Sequence, residues 1–409
     1  MSFVYEPVME KKFESFDNVY TWCENEQKNL VRIPIQGCLE NGAQFIDDEC
    51  FGDEYTAFRF NQSGLRSLCS YFGITIDTLE LLERQNLVTE VLNDLLAQQP
   101  IQKKLQSREL IVDESKNTIM GIVSNSYVGY SNLQLLQNVE KLIKPREADF
   151  TFKEAYSVNS QMSLRFTMEK QVGVIKSHDG DFTDKTKLGF QLKNSMVGNS
   201  SININFYLYR LVCANGLIAP AGSSVNRIFH SGKQENLFAR LERVFKELTS
   251  RIGKAEKMIE DLGKLEFSPD LLAKTNCSEM IFTIIPGSKS QILDKYKIPN
   301  AFREGNKAEN KIHREAKIIN YIPDLFGGEF SQQVFGSPWR NNASMFDFIN
   351  IFTEHAKTLS PGKKIESEEK TGILADWIAK NKRKFQHPFH WQKDGEDLNE
   401  RELKIFDES

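Results

Sequence analysis

The sequence contains no apolar run of the roughly 18–20 residues that a membrane-spanning helix needs. It also lacks the pattern of a secretory signal peptide. Its six cysteines are scattered, and no two show the two-residue spacing typical of a zinc-binding pair. These absences argue against a membrane protein, a secreted protein and a structural zinc site. We therefore expect a cytoplasmic protein whose cysteines are reduced and mostly buried.

The motifs of the common enzyme classes are missing as well. No glycine-rich loop opens a helix with a following lysine, so a phosphate-binding loop is not indicated. The Gly-x-Ser-x-Gly turn of many hydrolases is absent. Acidic residues are plentiful, but no spacing singles out a set that would hold a nuclease metal.

Histidines and cysteines offer three candidate sites, each with a simpler interpretation. His387 and His390 form a close pair, but the proline between them favours a turn over a metal site. His178 precedes an Asp-Gly dipeptide, which favours a bend over a catalytic base. Cys213 and His230 could form a thiolate–imidazole pair, but Cys213 lies in an apolar run typical of a core. We predict no catalytic residue, no metal and no cofactor.

Composition and charge are those of a globular protein with a substantial core. The chain has 409 residues, of which 40% are apolar and 26% charged, and it is long enough for two or three domains. Its net charge is −4. Because a general polyanion binder is usually basic, any nucleic-acid contact has to come from a local patch.

Periodicity predicts an α+β fold with a central, mostly antiparallel sheet built from hairpin–helix units. A small helical unit precedes the sheet and a helical region follows it. Two strands around Glu114–Asn117 form a predicted hairpin, Asn132–Ile143 a predicted amphipathic helix, and Ser201–Arg210 the clearest alternating strand. A long helix is predicted over Asn236–Leu262, and the polar stretch Ser360–Lys370 is predicted to be a surface loop.

The same patterns predict five segments along the chain. They are an N-terminal extension over residues 1–54, a small helical unit over 55–100, a central α+β core over 101–235, a helical C-terminal region over 236–392, and a charged tail over 393–409 that we expect to be disordered.

Several short motifs resemble, in the right order, those of the phage/plasmid-like protein family, which is built on a domain of unknown function. The motifs are Ser63–Thr75, Ile122–Asn132 (IVSNSYVGYSN), His178–Gly180 (HDG), Arg210–Gly216 (RLVCANG), His230–Gly232 (HSG) and Ala343–His355 (ASMFDFINIFTEH). The resemblance covers about residues 55–360 and departs from the family pattern at Asn350–Ile351. It implies a setting in phages, prophages or conjugative plasmids of a bacterial host, and no particular reaction.

Within this resemblance, the Arg210–Gly216 motif is interpreted as a strand that ends in a tight turn. Asn215 tolerates a positive φ angle and Gly216 favours it, as a turn requires. The motif therefore predicts a structural role, and the polar face of the preceding strand becomes the candidate binding surface.

Two groups of residues are candidates for contact with single-stranded nucleic acid. Tyr207, Tyr209 and Arg210 lie on the polar face of the Ser201–Arg210 strand and could stack on bases if that face is exposed. The alternative is that another layer covers this face. Lys380, Lys382, Arg383 and Lys384 interleave positive charge with neighbouring aromatic residues, although such a run also suits a solvated surface.

These observations favour a non-enzymatic protein that binds or anneals single-stranded DNA during replication or recombination, and that self-associates as annealing proteins do. The alternative is a protein-interaction factor, such as a phage-encoded inhibitor of a host defence or replication system. The mixed charge of the predicted long helix suits that alternative.

Overall fold

A computed structural model describes residues 10–47, 50–53, 56–144, 150–158, 161–176, 183–198, 200–210, 216–219, 227–230, 237–250, 252–275, 277–285, 308–326 and 343–385. The predicted charged tail, His178, Cys213, His387 and His390 lie outside them.

Fourteen helices occur among the described residues. In chain order they are α1 Phe16–Asn29, α2 Ile35–Glu40, α3 Gln62–Phe72, α4 Ile76–Arg84, α5 Val88–Ala97, α6 Gln99–Leu105, α7 Asn132–Ile143, α8 Leu237–Ser250, α9 Ile252–Lys264, α10 Pro269–Lys274, α11 Cys277–Ile284, α12 Ala308–Phe326, α13 Met345–Ala356 and α14 Pro361–Lys380.

Thirteen strands occur in the same part of the chain. They are β1 Glu10–Phe13, β2 Leu30–Pro34, β3 Gln44–Phe45, β4 Cys50–Gly52, β5 Ala57–Phe60, β6 Arg108–Asp113, β7 Thr118–Ser124, β8 Phe150–Val158, β9 Gln161–Lys176, β10 Thr183–Ser195, β11 Ile202–Arg210, β12 Gly216–Ala219 and β13 Arg227–Ile228.

The strands form two sheets, which confirms the predicted α+β fold class. Sheet A is antiparallel and has the order β1-β8-β9-β10-β11-β12, with β13 also pairing with β11. Sheet B has the order β2-β6-β7-β5-β4-β3, and its β5–β7 pair is parallel. Antiparallel pairing of β11 with β12 agrees with a chain reversal after Arg210. The reversal itself, residues 211–215, lies outside the described part.

The predicted hairpin between β6 and β7 is confirmed. Asp113 pairs with Thr118, and the Asp113 carboxylate accepts hydrogen bonds from the backbone and the hydroxyl of Ser115 at 3.1 and 2.6 Å. Asn117 has a φ of 49°, a left-handed conformation that asparagine tolerates better than most residues. Turn chemistry therefore fixes the register of β6 and β7 in sheet B.

By its contacts the chain divides into two compact units. Unit 1 comprises residues 1–166, 191–204 and 223–246, and unit 2 comprises residues 167–190, 205–222 and 247–409. Each unit is assembled from separate stretches of chain, whereas the sequence predicted five consecutive segments.

Unit 1 has an apolar core on one face of sheet B, which we call the phenylalanine core. Helices α3, α5 and α6 cover this face with Leu65, Leu68, Leu92 and Leu105. Phe45, Phe51, Phe60 and Phe72 pack within it at ring-centroid distances of 5.3–6.4 Å. Helix α3 is fixed at both ends, because the Asn61 side chain accepts from Gly64 N and Gly73 ends the helix at φ 71°.

In unit 1, sheet A buries charge as well as apolar surface. Phe16 of α1 contacts Phe152 and Phe166 on one side of the sheet. Arg165 of β9 is fully buried, and its guanidinium pairs with the Glu154 carboxylate of β8 at 2.9 Å. A buried charge is tolerated only when it is paired and hydrogen-bonded in this way.

Unit 2 is mainly helical, and α14 is its central helix. It packs against α9, α11, α13 and strand β12. This corrects the prediction of a loop at Ser360–Lys370. Ser367, Glu368 and Thr371 are polar but buried, and the Thr371 hydroxyl donates to the Ser367 carbonyl at 2.7 Å. A central helix with polar buried positions shows no amphipathic period, so the sequence resembles that of a loop.

Two prolines lie within helices. Pro100 occupies the first turn of α6, where its missing N–H is not needed. Pro323 lies inside α12. Among the described helices, none is both long and apolar enough to cross a membrane.

Candidate functional site

The predicted stacking strand is not an open platform at Tyr207. Alternation holds at its start, where Ile202 and Ile204 are buried and Asn203 and Asn205 are less so. Tyr207, however, is 0% exposed. It pairs in register with Ile218 of β12, the strand on which α13 and α14 pack. Tyr207 is thus part of a packed layer in unit 2, and the expectation that it stacks on bases is corrected.

The other two residues of that predicted platform, Tyr209 and Arg210, end β11. Their side chains lie outside the described part of the structure. Their proposed role in nucleic-acid contact therefore stays a prediction.

The predicted basic cluster at the end of α14 is largely engaged within unit 2. Lys380 pairs with Asp376 at 2.6 Å and Lys382 with Asp261 of α9 at 2.8 Å. Lys384 lies over the Trp377 ring at 5.9 Å. Arg383 is exposed. The aromatic and basic residues of this stretch thus interact mostly with each other and with nearby acids.

The Ile122–Asn132 motif contributes to a different and more elaborate site in unit 1. We use the name motif cluster for Tyr127, Tyr130, Asn132, Asn194 and His230. These residues come from the segment between β7 and α7, from the first residue of α7, from the end of β10 and from the residues after β13. They meet although as many as 103 positions of sequence separate them, as between Tyr127 and His230.

Helix α7 begins at the centre of this cluster. Ser131 is its N-cap, and Ser131 and Gln134 form a reciprocal capping box. Asn132, the first helical residue, is 1% exposed. The cap fixes the direction of α7 and places the Asn132 side chain towards β10.

Asn194 connects β10 to this helix start. Its side-chain amide donates to the Tyr130 carbonyl and to Asn132 Oδ1, both at 2.9 Å. Asn194 is 0% exposed. Because a carbonyl can only accept, the bond to Tyr130 fixes which end of the Asn194 amide faces Asn132. Asn132 in turn directs its own amide N–H to Glu26 of α1, at 3.4 Å.

The backbone of Val128 forms hydrogen bonds with both the backbone and the side chain of His230. The Val128 N–H donates to the His230 carbonyl, and the imidazole Nδ1 donates to the Val128 carbonyl, both at 3.0 Å. The imidazole stacks on Tyr127 with ring centroids 4.8 Å apart and lies 5.5 Å from the Tyr130 ring. Burial lowers the pKa of His230, opposed by the backbones of Val128 and Ser200. The ring is therefore a neutral packing element.

Tyr127 is also fixed by hydrogen bonds, one at its hydroxyl and one at its backbone carbonyl. Its hydroxyl donates to the Ser195 carbonyl at 2.9 Å, and burial raises the pKa of this phenol. Arg32 of β2 donates to the Tyr127 carbonyl at 2.9 Å and lies over the ring at 5.7 Å. The Arg32 guanidinium also pairs with Glu109 at 2.9 Å. Tyr127 thereby ties the motif cluster to the edge of sheet B.

Two glycines let β7 approach the turn after β10. A Cβ atom on Gly121 would lie 2.6 Å from the Val197 carbonyl oxygen and 2.8 Å from Val197 Cβ. Gly198 has a φ of 82°, and a Cβ there would lie 2.9 Å from a methyl group of Val123. Side chains at these positions would separate the two segments, so space restricts both positions to glycine, and at Gly198 the positive φ does so as well.

One aromatic ring beside the motif cluster faces solvent. Phe229 is 61% exposed, although its neighbours Ile228 and His230 are 3% and 9% exposed. Its carbonyl accepts from the Arg240 guanidinium of α8 at 3.4 Å. Arg243, one turn further along α8, is exposed. We call Phe229, Arg240 and Arg243 the Phe229 surface.

The chemistry available to these two sites differs. The motif cluster is hydrogen-bonded and buried, and it serves to fix the backbone around residues 128 and 230. Among the residues that the structure describes, no group of three or more His, Cys, Asp or Glu side chains could hold a metal ion. The Phe229 surface offers an accessible aromatic face next to guanidinium groups, which suits binding.

Part of this arrangement is predictable from the sequence. The family-like motifs contain Tyr127, Asn132 and His230, but Asn194, Glu26, Arg32 and Phe229 lie outside them. No local signal marks Asn194 as the partner of Asn132. A large apolar residue directly before the His230–Gly232 motif was the signal that could have drawn attention to Phe229.

Comparison with known proteins supports the family resemblance in part. The sequence model of a domain of unknown function (DUF932) matches residues 119–280. The matched range contains the whole motif cluster and the Phe229 surface, whereas Glu26 and Arg32 precede it. No curated protein and no solved structure matches the chain.

Proposed function

We propose that the protein binds single-stranded nucleic acid without catalysing a reaction, and that the Phe229 surface makes the contact. The observation that carries the proposal is that Phe229 is 61% exposed. Its own carbonyl accepts a hydrogen bond from Arg240, and the next residue, His230, is hydrogen-bonded to Val128, so the backbone at this position is fixed. Exposing a phenyl ring to water is unfavourable, and a ring presented from a hydrogen-bonded backbone is available to stack on a base.

Charge next to the ring supports this choice of ligand. Positions 240 and 243 are three residues apart and therefore adjacent on one face of α8. Arg240 lies against the Phe229 carbonyl, which brings this face beside the ring. Guanidinium groups beside an exposed ring provide the phosphate contacts and the stacking that single-strand binding combines.

The overall charge limits how strong such binding is. The net charge of −4 falls within unit 1, and unit 2 has equal numbers of acidic and basic residues. General electrostatic attraction is therefore absent, and the contact depends on a few local groups. With two arginines, we expect a salt dependence of log affinity of roughly −1.4, from about −0.7 per phosphate contact.

The proposed setting is replication or recombination of a mobile element, which follows from the phage/plasmid-like resemblance. Self-association on the strand is part of the proposal, since annealing proteins work as assemblies. Light scattering with and without oligonucleotide measures it.

Binding of a labelled oligothymidylate at about 50 and about 200 mM salt tests the proposal. Phe229→Ala is expected to weaken binding about 5- to 150-fold, as loss of one stacked base does, with the salt slope unchanged. Arg243→Ala is expected to weaken binding less and to reduce the slope by about 0.7. Neither variant should change the free energy of unfolding by more than about 0.5 kcal/mol, because both side chains are exposed.

Matched controls lie on the same unit. Phe238 of α8 is 36% exposed, and it lies about 160° around the helix from Arg240. Lys103 of α6 is an exposed cation away from α8. Phe238→Ala and Lys103→Ala should leave binding unchanged. Absence of binding at low salt, or equal losses in the controls, would overturn the proposal.

The same experiment separates the alternative, a protein-interaction factor. If the wild type does not bind oligonucleotide but captures a host protein after nuclease treatment, and Phe229→Ala loses that capture, the surface recognises a protein. The exposed phenyl ring suits both ligands, whereas the adjacent arginines favour nucleic acid.

A further inference from the structure

A chain of hydrogen bonds, buried at Asn194 and Asn132 and partly buried at Glu26, connects sheet A, helix α7 and helix α1. It runs from Asn194 of β10 through Asn132 at the start of α7 to the Glu26 carboxylate of α1, over distances of 2.9 and 3.4 Å. Because Asn194 donates to the Tyr130 carbonyl through the same amide nitrogen, the direction of the chain is fixed and its last member has to accept. Glu26 is that acceptor.

The surroundings of Glu26 provide little net compensation for a negative charge. Lys116 of the β6–β7 hairpin favours the ionised form of Glu26, but it pairs with Asp113 at 3.5 Å, and the charge of Asp113 acts on Glu26 in the opposite direction. Lys11 of β1 contributes weakly, and Cys23, one turn earlier on α1, is buried. The ionised carboxylate therefore depends mainly on the single amide of Asn132.

We propose that the Asn194–Asn132–Glu26 chain is a proton-sensitive link that holds α1 against the start of α7, firmly when Glu26 is protonated and less firmly when it is ionised. This inference does not depend on the proposed nucleic-acid binding. Burial raises the pKa of Glu26 to about 7, opposed by the hydrogen bond from Asn132.

The direction of the pH dependence follows from the linkage between proton binding and stability. A carboxyl whose pKa is higher in the folded state contributes stability that is fully present below its unfolded pKa, near 4.5, and that is lost as the pH rises towards about 7. With these two values, local opening of α1 should increase about 10-fold between about pH 6 and about pH 8.5.

Amide hydrogen exchange of α1 and the first turn of α7, corrected for intrinsic rates, measures this opening in the full-length protein. The wild type should lose about 10-fold protection over that pH range. Glu26→Gln keeps an acceptor for Asn132 and should show no such loss. Glu24→Gln, at an exposed position of the same helix, should behave as the wild type does.

A second contact between the same helices serves as a pH-independent reference. Gln137 of α7 donates to the Tyr20 hydroxyl of α1 at 3.1 Å. Tyr20→Phe should lower protection equally at both pH values. Equal pH dependence in the wild type and Glu26→Gln would overturn the proposal, and so would a carboxyl NMR titration that places the pKa of Glu26 near 4.5.

Discussion

The phenylalanine core and the motif cluster lie in the same unit and adjoin the same strand, β7, but they are held together in different ways. In the phenylalanine core, Ile119 and Ile122 of β7 join rings and aliphatic side chains that contact one another without fixed direction. In the motif cluster, each member has one or two oriented partners. Apolar packing tolerates rearrangement better than a hydrogen-bond network, whose stranded groups keep their desolvation cost.

The largest expected effect comes from the phenylalanine core. Phe45 contacts the rings of Phe51, Phe60 and Phe72, and Phe45→Ala should lower the free energy of unfolding by about 3–5 kcal/mol in urea denaturation. Ile46, the next residue, is 50% exposed, so Ile46→Ala should change it by less than about 0.5 kcal/mol. Similar losses for both variants would show that the core does not carry the stability of sheet B.

Asn194→Ala tests the motif cluster itself. It leaves the Tyr130 carbonyl and Asn132 Oδ1 without their donor, at about 1–2 kcal/mol for each group, so we expect a loss of roughly 2–4 kcal/mol. Asn138→Ala, which removes a bond within α7, should cost about 0.5 kcal/mol or less. If Asn194→Leu restored the stability, the cluster would behave as an ordinary apolar core and the comparison would fail.

The smallest effect is expected where β7 meets the turn after β10. Gly121→Ala places a methyl group within 2.6 Å of the Val197 carbonyl oxygen and should cost about 1–3 kcal/mol. Gly253→Ala in α9 meets no atom within 4 Å and should stabilise the protein by about 0.4–1 kcal/mol. Thermal denaturation compares the two, and a neutral Gly121→Ala would mean that the turn moves away easily.

The elements that the sequence predicted well are those with local causes. The β6–β7 hairpin follows from turn residues between two apolar runs, and α7 follows from an amphipathic period. Helix α14 was missed because its position at the centre of unit 2 removes the amphipathic period. Tyr207 was misassigned because alternation identifies two faces of a strand but not what covers each of them.

The candidate site depends on contacts that no local pattern contains. Asn194 and Asn132 are 62 residues apart, and His230 and Val128 are 102 residues apart. A single sequence gives no sign that these residues meet. The resemblance identified the segments that carry several of them, and the structure shows that those segments share one cluster.

The pairing of β1 with β8 has a consequence for the order in which the chain folds during synthesis. Every strand of sheet B lies between Leu30 and Ser124, so this sheet can complete its pairing once that stretch has left the ribosome. Strand β1 precedes all of them, yet its partner residues, Ala155–Val158, are made about 145 positions later. Strand β1, the first strand of the described chain, therefore has no partner for its backbone hydrogen-bonding groups during the time in which sheet B can form. A nascent chain stalled between these two points would present β1 as a free template for pairing.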